Sequence, residues 1–231
     1  MKRTHDESYL NEDNLKIKQS FVEVGNEIAS TSFNTIADVG CAAGAFPNYL
    51  KTRFSNSRVI GVEYLESLLI KASKDFPNIN FIKGNVLDRN SVNQKFDVIT
   101  MLGVLCIFDD YKSVLENVLS WLNQKGRLIL HNMVSEFDVD VFIKYKPSSI
   151  NPNLENLESG WNIISLKSLN DVAEANGAKV ITCKPFKLNV ELDKQSDVMR
   201  SWTEPNLDGG KNIINALHIL QPQKIVTIEK Q

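Results

Sequence analysis

The chain is short of cysteine, with three in 231 residues. Cys41, Cys106 and Cys183 each lie inside an apolar run, and none has CxxC or Cys/His spacing, so the sequence supports neither a disulfide framework nor a zinc site. The three are expected to be reduced, buried thiols, and no metal is expected. There is no surplus of one charge: 26 Lys+Arg stand against 28 Asp+Glu, a formal net charge of −2. That balance disfavours a dedicated duplex DNA or RNA binder, and no nucleic-acid partner is expected. No run approaches the roughly 18 apolar residues of a membrane span, and the charged start carries no apolar core of a signal peptide behind it. A cytoplasmic chain without a membrane span is the expectation. What remains is 42% hydrophobic and 23% charged, ordinary globular composition that points to one domain over residues 1–231.

Apolar periodicity switches along the chain between about 3.6 and short continuous runs. Residues 14–30 carry Leu15, Ile17, Phe21, Val22, Val24, Ile28 and Ala29 at roughly helical spacing. A strand is expected at 35–39, then a glycine turn, then a helix at 45–53 that tolerates Pro47 in its first turn. The alternation continues with strand 58–62, helix 65–75, strands 79–83 and 96–101, helix 111–122 and strand 126–132. It resumes with helix 166–176, closed by Gly177, and strands at 179–182 and 224–228. Such alternation implies an α/β fold, a mostly parallel sheet covered by helices. Two stretches break the rhythm. Residues 135–160, rich in Ser, Asn, Pro and Glu near their end, read as a lid or substrate loop, and 188–220 as a second capping insertion. Within the latter, 188–210 is polar and irregular, and 211–220 fits strand and helix equally well.

The segment Ile36-Ala37-Asp38-Val39-Gly40-Cys41-Ala42-Ala43-Gly44 places a carboxylate two residues before a turn of small residues at the end of the first parallel strand. In such sheets that position is a ligand crevice, where missing side chains let a ligand approach the main chain. A dinucleotide fingerprint would read GxGxxG and lacks an acid just before its first glycine. The aspartate here repels a diphosphate and suits a cationic ligand that bears an amino acid.

These residues resemble the first motif of class I S-adenosylmethionine-dependent methyltransferases, and the resemblance runs in order through most of the chain. It implies a Rossmann-like, seven-stranded, mostly parallel sheet with an antiparallel last strand and helices on both faces. It also implies S-adenosylmethionine as methyl donor and S-adenosylhomocysteine as product. Asp38, Gly40, Cys41, Ala42 and Gly44 would receive the methionine part, Ala42 standing where the family has its middle glycine. Glu63 ends the second strand 25 residues beyond Asp38, where the family, like dinucleotide folds, holds the ribose hydroxyls with an acid. Asn85, in place of the usual aspartate, would accept from the adenine amino group, with Val86 and Leu87 on one side of the ring and Tyr64 on the other. Leu102 and Gly103, at the end of the fourth strand, would lie beside the sulfonium.

Methyl transfer is an in-line displacement that asks the protein chiefly to align the partners, exclude water and take a proton from a hydroxyl acceptor. His131, just past the fifth strand, is the candidate base, weighed against a packed histidine. His218 could reach the acceptor from the C-terminal cap. Tyr9 could fold over the cofactor carboxylate, and Trp161 and Trp202 could wall the acceptor or anchor their loops. Lys144, Lys146 and Arg200 could meet an anionic substrate. Asp97, at the far end of its strand, reads as structural. Signatures of nucleic-acid base methylation, such as Asn/Asp-Pro-Pro-Tyr or a Pro-Cys nucleophile, are missing, so a small-molecule acceptor is expected. A loose similarity of 160–165 and 201–211 to bacterial surface-polysaccharide methyltransferases implies O-methylation of a sugar, a nucleotide-linked sugar or a capsule substituent. Nitrogen or carboxylate acceptors, and a non-catalytic cofactor-binding protein, stay as alternatives.

Overall fold

The structure, a computed structural model, describes residues 6–11, 16–30, 32–146, 157–194, 197 and 199–231. Residues 14–15 of the expected first helix and 147–156 of the expected lid lie outside them. The elements run α1 (Gln19–Ala29), β1 (Thr35–Val39), α2 (Ala45–Arg53), β2 (Arg58–Glu63), α3 (Glu66–Asp75), β3 (Asn80–Lys83), β4 (Phe96–Leu102), α4 (Tyr111–Ser120) and β5 (Leu122–Ser135). Short strands β6 (Lys144–Tyr145), β7 (Glu158–Ser159) and β8 (Ile164–Ser165) follow. Then come α5 (Leu166–Ala175), β9 (Ala178–Pro185), β10 (Trp202–Pro205), β11 (Lys211–Ile214) and β12 (Gln223–Lys230).

The main sheet has the order β3-β2-β1-β4-β5-β12-β9. β1 to β5 are parallel, and β12 runs antiparallel to both β5 and β9. Both faces of the central strands are buried, which is why they read as near-continuous apolar runs. Ile36, Val59, Val98 and Ile129 meet Phe21, Val24 and Ile28 of α1 and Phe46 and Leu50 of α2. Their neighbours Ala37, Ile60, Ile99 and Leu128 face the opposite way, against Val114, Leu115 and Val118 of α4 and Leu169 and Val172 of α5. Helix starts follow local chemistry: Asp110 caps α4 by accepting from Ser113 N, and Ser165 caps α5 by accepting from Ser168 N.

Asp97 has the structural role expected of it. Its carboxylate accepts from the amides of Asn34 and Thr35 and from the Asn123 side chain, which ties the start of β1 to that of β5. Cys41 and Cys106 are buried, whereas Cys183 is half-buried in β9, and none forms a disulfide. The stretch read as irregular at 188–210 contains β10, which pairs with β11 as a hairpin. The undecided segment 211–220 is therefore strand at its start. Among the described residues, no helix is long and apolar enough to cross a membrane.

Candidate active site

A cavity of about 280 Å³ opens at the carboxyl ends of β1 to β4, where the sheet order reverses direction between β1 and β4 and ligands bind in open α/β sheets. Nine of the twelve expected cofactor residues line it: Gly40 and Ala42 after β1, Glu63 and Tyr64 after β2, Asn85, Val86 and Leu87 after β3, and Leu102 and Gly103 at the end of β4.

Glu63 organises the floor. One oxygen accepts from Ala42 N at 3.0 Å, the other from Tyr64 N at 2.7 Å and Leu65 N at 2.9 Å. The carboxylate thus bolts the β1 turn to the start of α3. With about four acceptor positions on its two oxygens, it retains room for a ligand hydroxyl. Ala42 is held at φ 48°, in the left-handed region a glycine would occupy at less cost. Asn85 spends one acceptor position locally, on Leu87 N at 3.0 Å.

The glycines divide by what their missing side chains admit. A Cβ on Gly40 would stand 2.5 Å from Val104, and one on Gly44 would stand 2.9 Å from Phe76 and Phe81. Those two give room to the protein's own side chains, which corrects the expectation that a ligand uses both gaps. Gly44 starts α2 with φ 88° and does not line the cavity. Gly103, at φ 69°, has nothing within 4 Å of the Cβ position. Its open side faces the cavity, a cradle that a side chain would fill.

Asp38 and Cys41 also stand behind the cavity wall. Asp38 is buried and accepts from Thr100 Oγ1 at 2.7 Å. Burial, only partly offset by that hydrogen bond and reinforced by the nearby Glu63 charge, raises its carboxyl to about 7. Cys41 is buried with its sulfur against Gly61, and burial first, then the charges of Asp38 and Glu63, push the thiol well up. It is inert packing rather than a nucleophile.

Of the expected acceptor residues, Tyr9, Trp161 and Arg200 line the cavity, and Trp202 and His218 do not. Trp202 is buried in β10 with its Nε1 donating to Glu204, so it anchors the hairpin. His218 sits in a turn after β11 at φ 55°. Lys144 is paired with Asp109 on the first insertion rather than facing the cavity. His131 does not line the cavity either; its ring lies edge-on to Phe186 at 4.5 Å, its Nε2 has no hydrogen-bond partner among the described residues, and burial lowers it to about 4. Its carbonyl accepts from Gly103 N at 2.8 Å, which places it one strand away from the cradle. Among the other lining residues that the expected site did not include are Asp6, Val104, Ile107 and Phe108. The last three directly follow the β4 motif and were within reach of it; nothing in the sequence marked Asp6.

Residues 36–126 match the family described as a methyltransferase domain. The fold is that of the class I methyltransferases. The malonyl-[acyl-carrier protein] O-methyltransferase 2 of Ilyobacter polytropus is 27% identical over 179 residues, 74% of this chain and 64% of that protein. The chain spans less than two thirds of the length of the curated relatives it matches. Among solved structures, the YcgJ protein of Bacillus subtilis superposes with a TM-score of 0.59 at 16% identity, covering 92% of this chain and 98% of that one. CalS10, an amino pentose methyltransferase from Micromonospora echinaspora solved with S-adenosylmethionine bound, gives 0.58 at 13% identity, covering 96% and 94%. The methyltransferase match covers the segment that builds the cavity floor, from β1 through β4 to the start of β5.

The residues fit S-adenosylmethionine. Glu63 presents an anchored carboxylate that would accept ribose hydroxyls, Asn85 to Leu87 and Tyr64 line the wall where an adenine would lie, and Gly103 leaves a gap that would admit the sulfonium.

Proposed function

We propose that this chain transfers a methyl group from S-adenosylmethionine to a small-molecule hydroxyl. The observation that carries the reading is the Glu63 carboxylate, fixed by three backbone amides at the end of β2 and facing the cavity beside the open Gly103. The bound cofactor would supply an electrophilic methyl. The protein's own part is alignment: Glu63 and Asn85 set the nucleoside, Gly103 admits the sulfonium, and Trp161 and Phe108 bound the acceptor and keep water out. A sugar or nucleotide-linked sugar is the narrower acceptor, supported by the likeness of fold to an amino pentose methyltransferase and by the capping insertions.

For proton removal we infer that His131 is the base. Burial keeps it neutral at physiological pH, and its Nε2 has capacity to accept. Its contact with Phe186 requires that ring to yield before an acceptor hydroxyl reaches the imidazole. His131→Phe should lower kcat by roughly 10²-fold or more with cofactor affinity unchanged; unchanged kcat returns His131 to packing.

Calorimetric titration tests the cofactor. S-adenosylhomocysteine should bind and NAD should not. Glu63→Gln and Gly103→Ala should each weaken binding about ten-fold or more with the circular dichroism spectrum retained. Binding of NAD alone, or S-adenosylhomocysteine binding indifferent to both substitutions, would overturn the reading.

A further inference from the structure

The tryptophans separate by what their indole donors do. Trp121, 1% exposed, donates its Nε1 to Arg89 O at 2.8 Å, and Trp202, 5% exposed, donates to Glu204 at 3.0 Å. Trp161 is half-buried on the cavity wall, and its Nε1 has no hydrogen-bond partner among the described residues. Its place, by contrast, is fixed from both sides. Gly160 N donates to Ile143 O at 2.7 Å, and a Cβ on Gly160 would stand 2.5 Å from the Ile143 side chain, so a larger residue would push the two segments apart. Asn162 is fully buried, with its amide on Cys106 O and its side chain shared among Ile143 N, Phe108 O and Asp109. A tryptophan needed only to anchor a loop is buried and satisfied, as the other two are. Trp161 is instead seated by its neighbours and keeps its donor uncommitted.

Val104, Ile107 and Phe108, which line the same cavity, are apolar. Its charged side chains are engaged by the protein: Glu63 with three amides, Asp6 with Ser8, and Arg200 with Tyr9 OH and Ser8 Oγ. In an apolar pocket a few placed polar groups set the orientation of a ligand. The reacting hydroxyl is a poor target for the indole donor, because a hydrogen bond to its oxygen draws on the lone pair that must attack the methyl. A second oxygen on the acceptor suits the donor, while the indole face takes an uncharged ring by contact. We propose that Trp161 selects the acceptor, stacking on an uncharged ring and donating its Nε1–H to an oxygen of that ring other than the one methylated. The inference deepens the methyl-transfer reading above and rests on it. Two sources share this chemistry, a sugar ring and a hydroxylated aromatic ring.

The test uses the full chain saturated with S-adenosylhomocysteine. Heteronuclear NMR follows the indole N–H signals, with that of Trp161 assigned by its disappearance in Trp161→Phe. The probes are methyl α-D-glucopyranoside, catechol, and cyclohexanol, whose single hydroxyl stands for the reacting group alone. The glucoside or catechol should move the Trp161 signal and leave those of Trp121 and Trp202 in place, and the one that does so identifies the source. Trp161→Phe keeps a ring and removes the donor. It should weaken the responding probe about five-fold or more, with the affinities for cyclohexanol and S-adenosylhomocysteine unchanged. Trp161→Ala removes the platform as well and should weaken the same probe further. Equal affinity of the responding probe for wild type and Trp161→Phe overturns the proposal. So does a Trp161→Ala protein that loses S-adenosylhomocysteine affinity and Tm together, the mark of a loop anchor. A Trp161 signal that neither the glucoside nor catechol moves overturns it too. If S-adenosylhomocysteine does not bind the wild type, the cofactor reading fails by itself, and the same titrations on the unsaturated chain still decide Trp161.

Discussion

Asp38 on β1 and His131 on β5 are buried two strands apart in the sheet, and burial shifts them in opposite directions. Burial raises Asp38 from 3.8 to about 7, so the stability it contributes is full below pH 4 and is lost as pH rises through 7. Burial lowers His131 from 6.5 to about 4, so its contribution is full above 6.5 and is lost as pH falls through 4. At 1.36 kcal/mol per unit the two are of the order of 4 and 3 kcal/mol respectively, and between pH 4 and 6.5 the slopes oppose. Wild-type stability should therefore be flatter there than that of either variant. Asp38→Asn should gain stability with rising pH and His131→Phe should lose it, as read by urea midpoints across that range; parallel profiles for all three proteins would refute the account. The ligand-facing end of the site was legible at this scale because acids and glycines at strand ends have few other uses. What the sequence hid was the other half of each contact. Thr100 under Asp38, three amides on Glu63 and Val104 filling the gap at Gly40 come from residues 1 to 64 positions away.

At the level of elements, the first insertion is pinned beside the cavity by two polar side chains. Asn162, fully buried, accepts from Ile143 N at 2.9 Å and donates to Phe108 O and Asp109, while its own amide donates to Cys106 O at 2.7 Å. It thereby ties the turn after β4 to the insertion and sets its neighbour Trp161 on the cavity wall. Asp140 joins the same insertion to α4 and α5 through Tyr111 OH, Ser165 N and Ser168 Oγ. Burial pushes its carboxyl up, but these hydrogen bonds outweigh it and leave the group below the ordinary range. Asn162→Ala strands buried partners and should cost about 2–3 kcal/mol. It should raise KM for the acceptor while leaving S-adenosylhomocysteine affinity as it is, and hydrogen exchange should quicken at the Ile143 amide. An equal loss of cofactor affinity would show that the two halves of the cavity are not separable in this way. The helices and sheet strands could be read from the sequence because both faces of the sheet are covered and the apolar pattern is strong. The β10–β11 hairpin escaped because its strands have four residues each and alternate weakly, and its turn is organised by Asn206, whose side chain accepts from Asp208 N and Gly210 N.

For the whole molecule, β12 is the keystone of one half of the sheet. It pairs with β5 over seven residues and with β9 over seven, and Val226 at its centre is fully buried opposite Leu130 and Cys183. Val226→Pro removes a ladder donor between two strands and should leave the chain unfolded by circular dichroism. The same substitution at the exposed tip residue Leu207 should change stability by no more than about 1 kcal/mol. Native stability in Val226→Pro would mean that β1 to β5 hold together without β12. The antiparallel strand could be anticipated from the resemblance, whereas its interior place could not be derived from its own residues: a buried edge strand and a buried central strand carry the same apolar pattern. That place also sets a schedule for biosynthesis. Until Gln223–Lys230 has emerged from the ribosome, β5 and β9 each expose a long unsatisfied edge to solvent, although the segments that build the cavity have already been made. A nascent chain of this protein can assemble its ligand site early but remains open to edge-to-edge association until β12 inserts, so slowed translation of Gln223–Lys230 should favour aggregation.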